Sequence, residues 1–326
     1  MRWPTDFVRL PDQPWSSSPL EELASKYDTV ESHGWYRNLD LTLEQLERSV
    51  EPGQVIIDYS GGTGILVDRL LERVPDLDAG FVIVDASPKF LRLAVEKLGA
   101  DERVAYRWLE YVKAERRLLL VEEVLDQLAA RGVDGLVSTN AVHLYYDLPE
   151  TLRSWHTVLR EGARVFVQSG NIANPDAADG DWIIDETVGA IHRAAMVIVG
   201  ADDRWAAYRG ALADSERMQR YDALRDKYFL PVRPLAFYTG ALSEAGFEIE
   251  KVETRSVVAR VDEWFDFLSV YHEGVLGWVG GVEKIEGESA SDAAVEDRVQ
   301  LIRAAMERVF EGDEFSAGWT YVTCRR

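Results

Sequence analysis

Apolar residues in this chain fall into two patterns. Short unbroken runs, such as Val55-Ile56-Ile57, Phe81-Val82-Ile83-Val84 and Val165-Phe166-Val167, fit strands covered on both faces. Between them, apolar residues recur at helical spacing. Ile65, Leu66, Leu70, Leu71 and Val74 share one helix face, which Pro75 ends, and Leu41, Leu43, Leu46 and Val50 mark a helix over 40–49. The spacing also predicts helices over 20–30 and a long amphipathic one over 111–131. Further helices are expected from Trp182 to Val199, from Arg204 to Tyr228 (ended by Pro231), near 262–279 and near 290–310. Trp319 to Cys324 reads as a closing strand. Strands alternating with helices indicate an α/β chain with a doubly wound, mostly parallel sheet and helices on both faces. The expected divisions are an N-terminal arm with cap helices (1–49), a nucleotide-binding core (50–171), a helical cap insertion (172–233), and a completion of the core (234–326) with a helical insertion at about 262–312.

The first strand runs into Asp58-Tyr59-Ser60-Gly61-Gly62-Thr63-Gly64, an acid followed by a glycine-rich turn at the head of a helix. Glycine there lets a ligand approach the backbone. The dinucleotide fingerprint requires glycines at positions one, three and six. Counted from Gly62, position three is Gly64 but position six is Val67. The phosphate-cradling Gly-Lys-Ser/Thr is also missing, since Ile65 follows Gly64. A nicotinamide oxidoreductase is therefore disfavoured. A second acid, Asp85, closes the second apolar run and is followed by Ala86-Ser87-Pro88. An acid there can hold ribose hydroxyls, while Ser87 can cap the next helix.

These residues resemble motif I and the second strand end of the class I S-adenosylmethionine-dependent methyltransferases. Asp58, Ser60, Gly62, Thr63 and Gly64 match the loop, with Ser60 in place of the first glycine. The resemblance continues through Val133 to His143, a fourth strand ending in Asn140. It extends through Leu152 to Val167, with Ala163 in place of a second turn glycine, and through Leu242 to Glu248. It implies a seven-stranded Rossmann-like sheet whose last strand inserts antiparallel, capped by helical insertions. It also implies S-adenosyl-L-methionine as cofactor, S-adenosyl-L-homocysteine as product, and methyl transfer to oxygen, nitrogen or carbon of a small-molecule acceptor. Asp58, Ser60, Gly61, Gly62, Gly64, Asp85, Ala86, Ser87, Glu110, Asn140 and Tyr27 are the expected cofactor residues. Non-methylating chemistry such as cyclisation, or a non-catalytic regulatory role, would use the same site.

In-line methyl transfer needs orientation and dryness more than acid–base groups. A base is required only for a protonated acceptor. His143 and His33 are the candidate catalytic residues. Tyr36, Tyr145, Gln168, Asn171 and His272 are the candidate acceptor residues. Trp35-Tyr36 and Tyr145-Tyr146 could together form an aromatic box for a cationic centre.

The 326 residues carry a formal net charge of −21, which disfavours nucleic acid as a partner. Residues 283–314 alone hold ten acids against four bases, a solvated face first of all. One cysteine, Cys324, permits no internal disulfide, and no Cys-x-x-Cys pair suggests a metal. The opening residues lack an apolar leader and no run is long enough to span a bilayer, so a cytoplasmic enzyme with no membrane partner is expected. A homodimer through an exposed edge strand or the second insertion is one arrangement open to this fold.

Overall fold

Seven strands form one sheet in the computed structural model, which describes residues 3–17 and 33–326. In chain order they are β1 (Val55–Tyr59), β2 (Gly80–Asp85), β3 (Val104–Trp108), β4 (Val133–Thr139), β5 (Leu159–Ser169), β6 (Glu248–Arg260) and β7 (Glu314–Arg325). Their spatial order is β6-β7-β5-β4-β1-β2-β3. β1 to β5 pair in parallel, and β7 lies antiparallel between β5 and β6. β1 and β2 are buried along their whole length, as their unbroken apolar runs require.

Helices cover both faces. α1 (Asp40–Ser49), α2 (Ile65–Arg73) and α3 (Pro88–Leu98) occupy one side, where Leu43, Leu70 and Ala94 join a single core with Ile56 and Ile83. α4 (Leu148–Val158) and α7 (Leu235–Glu244) cover the other, with Trp155 and Leu242 against Ile57, Val82 and Val165.

Between α4 and α7 in the chain come α5 (Ile184–Ala201) and α6 (Ser215–Tyr228); α8 (Val261–Val270) and α9 (Asp292–Val309) follow β6. The two insertions form one helical layer. Trp264 on α8 donates its Nε1–H to Thr187 on α5 at 3.0 Å, and Val188 and Ile191 share a core with Leu301 and Ile302 of α9. Arg298, fully buried, donates to the carbonyls of Val279 and Gly281 and so ties α9 to the chain before it.

β6 and β7 are longer than the rest of the sheet. β5 pairs with β7 only over Thr320–Arg325, so Glu314–Trp319 and its partner Arg255–Arg260 overhang the carboxyl end of β5. Trp182 docks on this overhang, donating to Ser316 O and accepting from Gly318. The cap therefore stands on the overhang, at the end of the sheet where α/β folds bind ligands.

Three expectations need correction. Residues 111–131 do not form one helix. Tyr111–Val112 pairs with Arg117–Leu118 as a short hairpin, followed by helical turns at Val121–Val124 and Gln127–Arg131. Arg116 and Asp126 adopt positive φ, 56° and 50°, which interrupts any helix. The stretch from Arg204 to Tyr228 breaks at Asp214, whose side chain caps α6, and 262–279 breaks at Tyr271. Residues 3–17 do not reach the sheet's ligand end. Tyr106 N–H donates to Arg9 O, and the Arg9 guanidinium donates to the carbonyls of Asp101 and Val104, so residues 3–17 cover the β3 edge. The helix expected over 20–30 lies outside the described residues.

Candidate active site

The glycine loop between β1 and α2 alternates handedness. Ser60, Gly62 and Gly64 all have positive φ, 59°, 56° and 78°. Ser60 thus occupies a left-handed position where the resemblance expects glycine. Its Oγ is held by the Tyr145 hydroxyl at 3.2 Å, and that hydroxyl lies 2.7 Å from Ser138 Oγ. The three glycines do different work. A Cβ on Gly64 would meet Ile83 and Leu98 at about 3 Å, so its absence allows α2 to pack. A Cβ on Gly61 would sit 2.6 Å from Asp58 Oδ2. A Cβ on Gly62 would meet nothing within 4 Å, so at this position the backbone faces open space.

Two carboxylates flank the loop. Asp58 is fully buried, and neither of its oxygens has a hydrogen-bond partner. Burial, reinforced by the charge of Asp85, pushes its pKa up to about 7. Asp85 accepts from Gly62 N–H at 2.9 Å through one oxygen and from Ser87 N–H at 2.7 Å through the other. Burial raises it to about 6 against those two hydrogen bonds. A carboxylate has about four acceptor positions, so each oxygen retains one for a ligand hydroxyl. Ser87 also caps α3 through Phe90 N–H. Ala86 is exposed and its carbonyl accepts from Trp108 Nε1.

Beside the loop, above β4, β5 and β7, lies a polar cluster. Asn140, at φ 54°, donates its backbone N–H to Gln168 O and accepts from Trp319 Nε1 at 2.8 Å. Its side-chain amide reaches Asn38 Oδ1 at 3.4 Å, and Tyr321 donates to Asn38 O at 2.6 Å. Asn38, Gln168 and Asn171 are fully buried. Asn38 Nδ2, both side-chain polar atoms of Gln168, and Asn171 Oδ1 have no protein partner. Buried amides in this state are costly unless something else satisfies them.

The other expected residues are dispersed. His143 places Nδ1 2.9 Å from Ser169 Oγ, and burial pushes its pKa down to about 4, so it is a neutral imidazole at pH 7. His33 lies against α8, with Nε2 3.8 Å from Asp266. His272 directs Nδ1 to Arg298 at 2.9 Å, within the cap's packing. Glu110 is exposed beyond the end of β3. Tyr27 lies outside the described residues. The aromatic box is not assembled. Tyr146 is fully exposed, Tyr36 is buried and stacked on Trp35 at 4.1 Å, and Tyr145 packs edge-on against Tyr59 and Trp155.

Asn38, Trp319 and Asp185 are not among the site residues expected from the sequence, where Thr63 enters only as part of the loop. Thr63 is buried in the loop with an unpartnered hydroxyl. Asp185 follows Ile184, which donates to Gly170 O at the end of β5, and burial lifts its pKa to about 7. For Asn38 and Asp185 the one sequence signal is a polar residue beside apolar or aromatic ones.

No protein-family model matches the chain, and no curated protein matches it in sequence. Similar solved structures include phosphoethanolamine N-methyltransferase 2 of Haemonchus contortus, at 12% identity and TM-score 0.48, over 93% of this chain and 56% of that one. YcgJ of Bacillus subtilis matches at 12% and 0.48, over 89% and 98%. The cyclase SpnF matches at 16% and 0.48, over 93% of both. The fold assignment rests on the sheet itself rather than on these distant likenesses. With β7 inserted antiparallel between β5 and β6, and a glycine loop leading from β1 into α2, the chain has the Rossmann-like fold of the class I methyltransferases.

Proposed function

We propose that the chain is an S-adenosylmethionine-dependent methyltransferase acting on a small molecule. The observation that carries this reading is the pair of desolvated carboxylates, Asp58 and Asp85, flanking an open glycine loop. Asp85 could hold a ribose in either type of nucleotide site, whereas Asp58, buried directly beneath the loop, would favour a cationic ligand over a pyrophosphate once ionised. The residues fit the cofactor. Asp58 would offset positive charge through the loop, Gly62 would admit it to the backbone, and the free acceptor positions of Asp85 would take ribose hydroxyls.

Bound there, the cofactor supplies an electrophilic methyl group on a sulfonium. The chain's own residues orient and dry the site. Asn140, tied to Trp319 and Asn38, fixes the β4 end. The overhang of β6 and β7 with the cap walls the crevice, which favours an enclosed small acceptor over a macromolecule. His143, held neutral and placed on Ser169, suits an acceptor that arrives already deprotonated or carries no proton to lose.

Calorimetric titration with S-adenosylmethionine, S-adenosylhomocysteine and NAD tests the assignment. Micromolar binding of the first two and none of NAD is expected. Binding of NAD alone would overturn it. Among turnover products, S-adenosylhomocysteine marks methyl transfer, whereas methylthioadenosine would redirect the reading to non-methylating chemistry.

A further inference from the structure

Trp319 stands at the root of the β7 overhang. Thr320 pairs with Ser169 at the end of β5, so Trp319 is the first residue beyond that pairing. Its indole is buried over Gly170, where a Cβ would come within 2.7 Å of the ring. The start of the cap grips the backbone on both sides of the indole. Trp182 O accepts from Gly318 N–H at 2.9 Å, and Ile184 N–H donates to Gly170 O at 3.1 Å. Packed and bracketed in this way, the ring holds its Nε1–H on Asn140 Oδ1 at 2.8 Å.

That contact fixes the polarity of Asn140. An amide side chain can be turned over to exchange its oxygen and its NH2, but an indole N–H is a donor only. Turning Asn140 over would set donor against donor, so Oδ1 is committed to Trp319. Nδ2 then reaches Asn38 Oδ1 at 3.4 Å with one of its two protons. The other proton remains for a ligand. Asn140 is partly exposed at the end of β4, beside the glycine loop. With its oxygen turned to Trp319, what it offers a ligand there is an N–H.

We propose that Trp319 is a positioning residue for the cofactor site. It acts through Asn140, holding the amide so that an N–H meets an acceptor oxygen of the bound ligand. The role rests on the cofactor reading proposed above, because the ligand it serves is the one at the glycine loop.

A double-mutant cycle tests it, with S-adenosylhomocysteine as the calorimetric probe and a thermal melt on each variant. Trp319→Phe keeps an aromatic ring on Gly170 and removes the donor, and Asn140→Ala removes the amide. Each alone is expected to weaken the probe by about tenfold, and the double variant no more than Asn140→Ala alone. A merely structural tryptophan would weaken it by the same factor in both backgrounds. Gly170→Ala, which pushes the indole aside without removing a polar group, should reproduce the loss and add none to Asn140→Ala; it stands in if Trp319→Phe does not fold. Asn140→Asp still accepts from the indole but has no N–H to give at pH 8, so it should bind no better than Asn140→Ala. Additive losses in the cycle, wild-type affinity in Trp319→Phe or Gly170→Ala, or an Asn140→Asp affinity above that of Asn140→Ala would overturn the role while leaving the cofactor reading in place. No binding of the probe by the wild-type chain would overturn both.

Discussion

Asp58→Asn should stabilise the ligand-free protein at pH 8 and not at pH 5. The Asp58 carboxyl has an ordinary value of 3.8 and is raised to about 7 by burial and by Asp85. Because the folded value lies above the unfolded one, the fold binds this proton more tightly. Its stabilising contribution is complete below about pH 4 and is lost as pH rises through 7. Some three pH units at 1.36 kcal/mol each make this about 4 kcal/mol. Asparagine keeps the shape and removes the charge, but leaves an amide without partners at about 1–3 kcal/mol. The net gain at pH 8 is then about 1–3 kcal/mol, or on the order of 1–4 °C in a chain of this size. Thermal melts of both proteins at pH 5 and pH 8 measure it. Their difference cancels the similar burial of Asp185, which both share. An equal offset at both pH values, or a less stable variant at pH 8, would refute the reasoning. Calorimetry at pH 8, where wild-type Asp58 is ionised, should show affinity for S-adenosylmethionine reduced by about tenfold in the variant, since the charge that would offset the cation through the loop is gone.

The glycine loop separates folding from binding. Gly62→Val should remove cofactor binding while costing about 1–3 kcal/mol of stability, because its side chain enters open space but strains a φ of 56°. Gly61→Ala should instead cost more in a melt, because its Cβ meets the Asp58 carboxylate at 2.6 Å. His143 contributes stability that is present above pH 6.5 and is lost as pH falls toward about 4, roughly 3 kcal/mol in all. His143→Phe should therefore flatten the acid side of the stability profile, and a wild-type rate profile with a limb near 6.5 from this residue would contradict its burial. Arg298→Leu should lower the melting temperature by several degrees, as the carbonyls of Val279 and Gly281 lose their donor, with cofactor affinity within about twofold of wild type.

The parallel core is legible in the sequence because its signals are local. Val55-Ile56-Ile57 and Phe81-Val82-Ile83-Val84 are apolar on both faces, and Pro75 stops α2 within a residue of where spacing places its end. The strand-end acids follow for the same reason: position after a buried run puts Asp58 and Asp85 at the ligand end of the sheet. The segment 111–131 was misread because its apolar spacing is helical while its geometry is set elsewhere. Ser154 on α4 accepts from Val121 N–H and donates to Glu122, and Arg117 of the hairpin pairs with Glu123 of the helical turn that follows it. No pattern within that segment encodes α4.

The site residues divide along the same line. Asn38 matters through Asn140, 102 positions away, and through Tyr321, 283 positions away. Trp319 reaches Asn140 only because Gly170 has no Cβ, which would lie 2.7 Å from the indole. Spacing places an acid at a strand end, yet it does not say whether that acid is charged. The protonation of Asp58 depends on burial from every side, by Gly61 above it, Ile83 beside it and the charge of Asp85 on the next strand. A motif can therefore name the carboxylates, while their protonation is set only once the chain has folded around them.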